Sequence, residues 1–296
     1  MKDKIPKNPA SHIPHSTFQA APRRERLDLL LVRRGLADSR EQAIRLILSG
    51  LVSVEGVRAD KAGRVVGADV ALSVAARPEF VSRGGEKLIH AIQAFGVQVS
   101  GRICLDVGAS TGGFTHCLLS QGAATVYAVD VGHGQLDQKL RQDRRVVVME
   151  QVNARALDPR LFPDLPSLAT ADVSFISLEK ILPALAGCLC PPAEVVALVK
   201  PQFEVGRGRV GKGGVVREES KHREVLQKLA RFAILGGWHV LGVAASPLRG
   251  PKGNREFFLH LSRRGRTIPE LSAAIDRAVG EGREAAGRAG DEGEHA

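Results

Sequence analysis

Apolar positions along the chain follow two successive patterns. In the first, Leu27, Leu30 and Leu31 fall at helical spacing, and Gly35 follows as a C-terminal stop. Ser39 then stands three residues before Gln42, an N-cap signature, and Ala43, Ile44 and Ile47 continue a second short helix to Gly50. Val52 and Val54 alternate with polar residues, Glu55-Gly56 turns, and Val70, Leu72 and Val74 alternate again. This predicts two helices on a small sheet, an α+β unit over residues 23–77. Residues 1–22 precede it with Pro6, Pro9, Pro14, Pro22, Lys2, Lys4 and Lys7 and no periodicity, the composition of a disordered basic arm. Arg77-Pro78-Glu79-Phe80-Val81 reads as a stiff linker over residues 78–82.

The second pattern begins at residue 83 and alternates strand with helix to about residue 280. A helix is expected over Glu86–Phe95, with Leu88, Ile92 and Phe95 on one face. Strands are expected at Ile103–Val107, Thr125–Asp130, Arg145–Met149, Ala169–Val173, Val195–Val199, His239–Ala244 and Glu256–Leu261. Helices fit Gly113–Gln121, Leu178–Ala186, Glu218–Leu235 and residues 264–280. Continuous apolar strands between amphipathic helices predict a doubly covered parallel sheet, a Rossmann-like α/β fold. The last two strands leave no room for a crossover helix, so one of them is expected to be antiparallel. Residues 281–296 are Gly, Glu, Arg and Ala without a face to bury, and are expected to be disordered.

Charge and composition narrow the function. The 296 residues carry 42 Lys plus Arg against 32 Asp plus Glu, a net charge of +10. That surplus favours a polyanionic partner, most simply nucleic acid. Within residues 23–77 there are 11 basic against 7 acidic residues. Arg24, Arg26 and Arg40 stand at the starts of the two small helices and Lys61 in a loop, each able to neutralise a phosphate. No apolar run approaches the ~18 residues of a membrane span, and the first residues lack the apolar core of a signal peptide. The four cysteines, Cys104, Cys117, Cys188 and Cys190, have no zinc-ligand spacing and suit buried thiols in a reducing cytoplasm. Aromatic residues make up only 4%, which disfavours a base-stacking sheet.

A cofactor site is expected where the strand Ile103–Val107 runs into Gly108-Ala109-Ser110-Thr111-Gly112-Gly113 and a helix. Such a turn lets the backbone approach a nucleotide. Asp130 ends the next strand, 22 residues after Gly108, where an acid accepts hydrogen bonds from ribose hydroxyls. The glycine spacing is not G-x-G-x-x-G, and Asp106 stands where a pyrophosphate would be repelled. An acidic turn suits a cofactor with cationic groups and no phosphate, as in S-adenosylmethionine. Asn153, after the third strand, is placed for the adenine edge. Polar residues also stand where apolar ones are expected: Lys87 early in its helix, Asp172 and Lys200 at strand ends, and Glu256 at a strand start. Ligands bind beyond the carboxyl ends of parallel strands, so Asp172 and Lys200 are expected to converge on one crevice. Gly206 to Gly214, basic and glycine-rich, fits a lid ordered by substrate.

Four segments, Leu105–Phe114, Asp172–Ser177, Lys200–Glu204 and Gly253-Asn254, resemble the TlyA family of bacterial rRNA ribose 2′-O-methyltransferases, whose members also carry the older name hemolysin. The resemblance covers residues 23 to about 263. It implies an S4-like RNA-binding domain at 23–77 and an FtsJ-like, S-adenosylmethionine-dependent methyltransferase domain at 83–280. The Lys-Asp-Lys-Glu tetrad of that class would fall on Lys87, Asp172, Lys200 and Glu256, with Lys200 the candidate general base. The implied cofactor contacts are Asp106, Gly108, Ser110, Thr111, Gly112, Gly113, Asp130 and Asn153, with no metal. The implied substrate is a cytidine of 23S or 16S rRNA, met as RNA or as ribosomal subunits, by a cytoplasmic monomer without stable membrane association. Relatives often carry Trp where this chain has Phe80. A non-catalytic ribosome-assembly factor and a membrane-active cytolysin are the rival readings.

Overall fold

The computed structural model describes residues 24–75, 79–206 and 208–290. The expected arm at 1–22, the Arg77-Pro78 start of the linker and the last six residues lie outside them. The chain folds as two units, Met1–Arg77 and Pro78–Ala296.

In the first unit, β1 (Arg24–Arg26) leads directly into α1 (Leu27–Arg33), which buries Leu27, Leu30 and Leu31 and stops at Gly35 in the left-handed region, φ 69°. The Ser39 hydroxyl caps α2 (Arg40–Leu48) by accepting from the Gln42 N–H, while the Gln42 side chain accepts from the Asp38 N–H, one residue before the cap itself. β2 (Val52–Val54) pairs antiparallel with β3 (Val57–Arg58) and β5 (Leu72–Val74). A second ribbon joins β1 to β4 (Val65–Gly67). Arg24-Glu25-Arg26 is polar throughout, so no apolar alternation announces this ribbon, and the strand expected from Val70 begins only at Leu72.

The second unit opens with α3 (Arg83–Phe95) and continues β6 (Ile103–Val107), α4 (Gly113–Ser120), β7 (Thr125–Val129), α5 (Gln138–Arg141), β8 (Val146–Met149) and β9 (Leu168–Ala171). Then follow α6 (Leu182–Cys188), β10 (Glu194–Val199), α7 (Pro201–Glu204), α8 (Glu219–Leu235), β11 (His239–Ala245), β12 (Phe257–Ser262) and α9 (Leu271–Gly290). The sheet order is β11-β12-β10-β9-β6-β7-β8, with β12 antiparallel to both neighbours and the other pairings parallel. Alternate strand residues feed two cores. Leu105, Ala169 and Ala197 pack with Leu185, Leu226 and Ile275 from α6, α8 and α9. Cys104, Val126 and Val196 pack with Leu88 and Leu118 from α3 and α4.

Among the boundaries that differ from the sequence reading, three have a clear physical cause. Phe80, expected in the linker, is buried, lies 5.6 Å edge-on to His116, and packs so closely on Gly85 that a Cβ there would meet its ring at 2.1 Å. The Val81 N–H also donates to His116 Nδ1, so the segment from Phe80 belongs to the larger unit. Pro183 cannot donate into a preceding turn, and the helix expected at 178–186 becomes a 3-10 turn, Leu178–Lys180, followed by α6. The last helix begins after Pro269 and runs through residues 281–290, where a tail was expected. That stretch is rich in Ala, Glu and Arg, which are strong helix formers.

Candidate active site

Sheet order dictates where the site lies. From β6 the chain proceeds outward to β7 and β8, then returns to the other side through β9 and β10, so the strand order reverses between β6 and β9. A crevice opens at such a point beyond the carboxyl ends. Gly108 follows β6, Asp130 follows β7, Asp172 follows β9 and Lys200 follows β10. Because β12 runs antiparallel, with Phe257 opposite Val199, its start brings Glu256 to the same edge.

Two adjoining cavities share Gly108, Ser110 and Asp172. The first, about 470 Å³, has Asp130, Asn153, Arg155 and Asp172 among apolar walls that include Val129, Val131, Val152 and Ile176. Small-molecule sites span roughly 300–1,000 Å³. Asp130 organises this wall: its carboxylate accepts from the Ser110 N–H at 2.9 Å and the Gly132 N–H at 2.7 Å. Asn153 Oδ1 accepts from the Arg155 N–H at 3.0 Å, which fixes the side chain at the cavity. Gly108 has φ 85°, and a Cβ there would stand 2.4 Å from the Asp172 carbonyl oxygen, so only glycine lets the turn close against β9.

The second cavity, about 390 Å³, gathers Lys87, Asp172, Lys200 and Glu256, with Ser110, Thr111 and Gly113 from the turn. Lys87 Nζ lies 2.6 Å from Glu256 Oε2 in a pair almost sealed from water. Lys200 Nζ lies 2.5 Å from Asp172 Oδ1 and donates to Ser174 Oγ at 2.9 Å. Each lysine thus faces one acid within one cavity. Buried ion pairs this close are costly to leave half-made, so each member fixes its partner.

Two residues read as cofactor contacts are placed otherwise. Asp106 is fully buried and lines neither cavity; Thr115 and Thr170 donate to its two oxygens at 2.7 and 3.0 Å. Burial pushes its carboxyl up to about 7. It braces the turn from beneath. Gly112 caps α4 at φ 95°, a Cβ there would meet Leu140 at 2.3 Å and Leu136 at 2.8 Å, and it lines neither cavity.

The motif segments lock together. Beyond the Lys200 contacts, Glu204 accepts from Ser177 Oγ at 2.7 Å and from the Leu178 N–H at 2.8 Å, and the rings of Phe175 and Phe203 lie 4.9 Å apart. Asn254 accepts from the Val216 N–H and donates to the Gly214 carbonyl, tying the glycine-rich 206–214 segment to the start of β12. Arg209 of that segment pairs with Glu224 on α8. Sequence reasoning singled out neither Ser174 nor Phe175. Phe175 is 90% exposed at φ 63°, a left-handed conformation rare for an aromatic residue. Motif membership was its only signal.

In the smaller unit, buried Asp28 organises the cations. Arg26 donates to it through Nε and Nη2 at 3.0 and 2.8 Å, and Arg40 Nε at 2.9 Å. These guanidinium groups hold the Asp28 carboxyl down at about 2, chiefly through the Arg26 hydrogen bonds. The Asp28 N–H bonds the Ala62 carbonyl, which brings the Lys61 turn to the same place. Arg24 lies exposed on β1, its Nη2 on the Val65 carbonyl. Arg26 and Arg40 are therefore fixed guanidinium groups, not freely solvated ones.

Comparison with known proteins agrees with this architecture. The FtsJ-like methyltransferase family matches residues 80–263 and the S4 domain matches residues 25–70. The 16S/23S rRNA (cytidine-2′-O)-methyltransferase TlyA of Mycobacterium tuberculosis is 52% identical over 267 residues, which is 88% of this chain and 99% of that protein. Hemolysin A of Brachyspira hyodysenteriae is 44% identical over 79% of this chain and 98% of its own length. The solved structure described as "Putative hemolysin from Streptococcus thermophilus" superposes with TM-score 0.72 at 44% identity, covering 92% of this chain and all of that one. Among the described residues no helix is long and apolar enough to cross a membrane. With an S4 domain ahead of an FtsJ-like methyltransferase domain and relatives matched along nearly their whole length, the chain belongs to the TlyA family.

Proposed function

We propose that the protein methylates the ribose 2′-hydroxyl of a cytidine in ribosomal RNA, in the cytoplasm, with S-adenosylmethionine as methyl donor. The observation that carries this reading is the meeting of Lys200–Asp172 and Lys87–Glu256 in one cavity that adjoins the glycine-rich turn. An assembly factor without catalysis leaves two near-buried lysine–acid pairs at a ligand crevice without a purpose.

The donor set of the first cavity fits the cofactor: carboxylates for hydroxyl and cationic groups, an amide for a base edge, and apolar walls. Asp130 would hold the ribose hydroxyls, Asn153 the adenine, and Gly108, Ser110, Thr111 and Gly113 the approach of the backbone. When bound, the cofactor supplies an activated methyl group on a sulfonium. This chain's residues supply the rest. A ribose hydroxyl is a poor nucleophile until its proton leaves, and the Lys200 amine is the base that takes it. Asp172 and Ser174 orient Lys200, and Glu256 holds Lys87 at the opposite wall. The exposed Phe175 ring beside them offers a stacking surface for the target base. Arg24, Arg26, Arg40 and Lys61 hold phosphates of the RNA or ribosomal subunit, which positions it without reading sequence.

Lys200→Ala tests the reading. Labelled methyl transfer to ribosomal subunits should fall by at least about 100-fold, the usual weight of a general base. Cofactor affinity should stay within about twofold, since Lys200 acts on the RNA hydroxyl. Turnover retained within tenfold removes Lys200 as the base. Mapping 2′-O-methyl marks in rRNA from cells with and without the protein identifies the nucleotide.

A further inference from the structure

Lys200 Nζ faces two groups of one short segment: it is ion-paired with Asp172 Oδ1 at 2.5 Å and donates a hydrogen bond to Ser174 Oγ at 2.9 Å. An amine nitrogen is tetrahedral. With Cε in one position, the bond to Ser174 takes one of the remaining three directions, and the Asp172 charge distinguishes the other two. A neutral amine carries two N–H bonds and one lone pair. The Ser174 hydroxyl accepts one N–H, while the Asp172 carboxylate attracts the second and repels the lone pair, which is left the third direction. With Asp172 alone, either of the two remaining directions would stay open to the lone pair.

Ser174 is exposed, and the neighbouring residues hold it in place. Just beyond the contact its segment is tied to the Lys200 segment by the Phe175–Phe203 ring pair and by Glu204 on Ser177 and Leu178. Phe175 completes the turn at φ 63°, a conformation that persists only where surrounding contacts impose it. The lysine side chain is only 12% exposed, and its bond to Ser174 lies at the open side of the cavity.

We infer that Ser174 is a positioning residue for methyl transfer: together with Asp172, its hydroxyl fixes the direction in which the Lys200 amine presents its lone pair to the ribose hydroxyl. The inference rests on the reading of Lys200 as the proton acceptor. The reaction balances within that reading. The ribose O–H proton passes to the amine and leaves later to water. The oxygen–methyl bond forms as the sulfur–methyl bond breaks, and that bond's electron pair stays on sulfur.

A hydroxyl adds no charge. The charged groups facing Lys200 are Asp172, the Lys87–Glu256 pair and Arg83, all at the same cavity, and Ser174→Ala leaves each in place. Removing Ser174 should therefore lower the rate without moving the pH at which activity rises. Full-length S174A, S174T and K200A proteins would be assayed for methyl transfer from labelled S-adenosylmethionine to ribosomal subunits between pH 6 and 9. For S174A the kcat plateau should fall about tenfold, with both KM values within about twofold of the parent, the pattern of a lost alignment and not of lost binding. The midpoint of the pH profile should stay within about 0.3 units, and S174T should recover kcat to within about threefold of the parent.

Unchanged kcat in S174A overturns the inference, as does a loss confined to KM, a midpoint displaced by a full unit, or an S174T protein as slow as S174A. K200A separates two kinds of failure. An inactive K200A beside a fully active S174A overturns the role of Ser174 alone. An active K200A overturns the reading of Lys200 and this inference with it.

Discussion

Burial of Asp106 beneath the glycine-rich turn ties a proton to folding. Its folded-state carboxyl is raised to about 7, by burial first and by the Asp172 charge in addition, while the Thr115 and Thr170 hydroxyls oppose the rise. A carboxyl raised on folding binds its proton more tightly in the native state. Its contribution to stability is therefore full at low pH and is lost as pH rises from about 4, the unfolded value, through about 7. Asp106→Asn keeps the shape without the ionisation. Thermal unfolding of both proteins from pH 5 to 8 should give curves that diverge with pH, the variant gaining on the parent toward pH 8. Parallel curves would mean that Asp106 stays ionised in the fold. Asp28 has the opposite sign: its arginines stabilise the anion, a contribution lost only as pH falls from about 4 toward 2. Neither fate was legible in the sequence. Spacing located Asp106 beside the turn correctly, but two threonines 9 and 64 positions away occupy its oxygens. Asp130, Lys87, Asp172, Lys200 and Glu256 were legible because a strand or helix end leaves a side chain few directions in which to point.

Elements, more than single residues, bring the acids and lysines together. The continuous apolar strands were legible because each must be buried on both faces, and the missing crossover before the last strand announced that one of the last two strands turns back, which the pairing shows to be β12. That reversal is what delivers Glu256 to the edge where Lys200 ends β10. The β1–β4 ribbon had no apolar alternation to reveal it, and only tertiary pairing makes it a ribbon. The turn before Glu256 carries a consequence for Gly250. A Cβ at Gly250 would lie 2.0 Å from Glu256 Oε1, while Gly250 itself has an ordinary extended backbone, φ −69° and ψ 178°. The glycine is required by space, not by conformation. Gly250→Ala should displace the carboxylate from Lys87 and destabilise the larger unit by about 1–3 kcal/mol, the usual cost of overpacking. In a Glu256→Ala background the same change should be nearly neutral, because the group it strikes is gone. A double-mutant cycle by denaturant unfolding reads this as a coupling of at least ~1 kcal/mol. Additive losses would show that Gly250 serves the backbone instead.

At the scale of the whole chain, the change from short alternations to long α/β periodicity marked the two units, and the +10 net charge pointed to a polyanion. The linker was misplaced by a few residues because Phe80 in sequence looks like any residue beside a proline, and only its packing on Gly85 and His116 assigns it to the larger unit. The charges of the smaller unit also divide by role in a way that composition does not show. Arg26 and Arg40 serve Asp28 whether or not RNA is present, so replacing either perturbs the fold and the RNA face together. Lys61 is exposed and makes no ion pair among the described residues, which makes it the clean probe. If it neutralises one phosphate, Lys61→Ala should make the plot of log K against log salt shallower by roughly 0.7 to 0.9, the weight of one released counterion. It should weaken all RNA sequences alike and leave the melting temperature of the smaller unit unchanged, because a phosphate contact carries no base information and an exposed lysine supports no core. Arg40→Ala should differ in kind: a shallower slope accompanied by a lower melting temperature, as Asp28 loses one of its two guanidinium partners. Salt titrations of the parent and both variants against one rRNA fragment, with circular dichroism melts, distinguish these. Equal slopes for parent and Lys61→Ala would take Lys61 off the RNA face. A melt unchanged by Arg40→Ala would mean that Arg26 alone suffices to hold Asp28, leaving Arg40 free to serve the RNA.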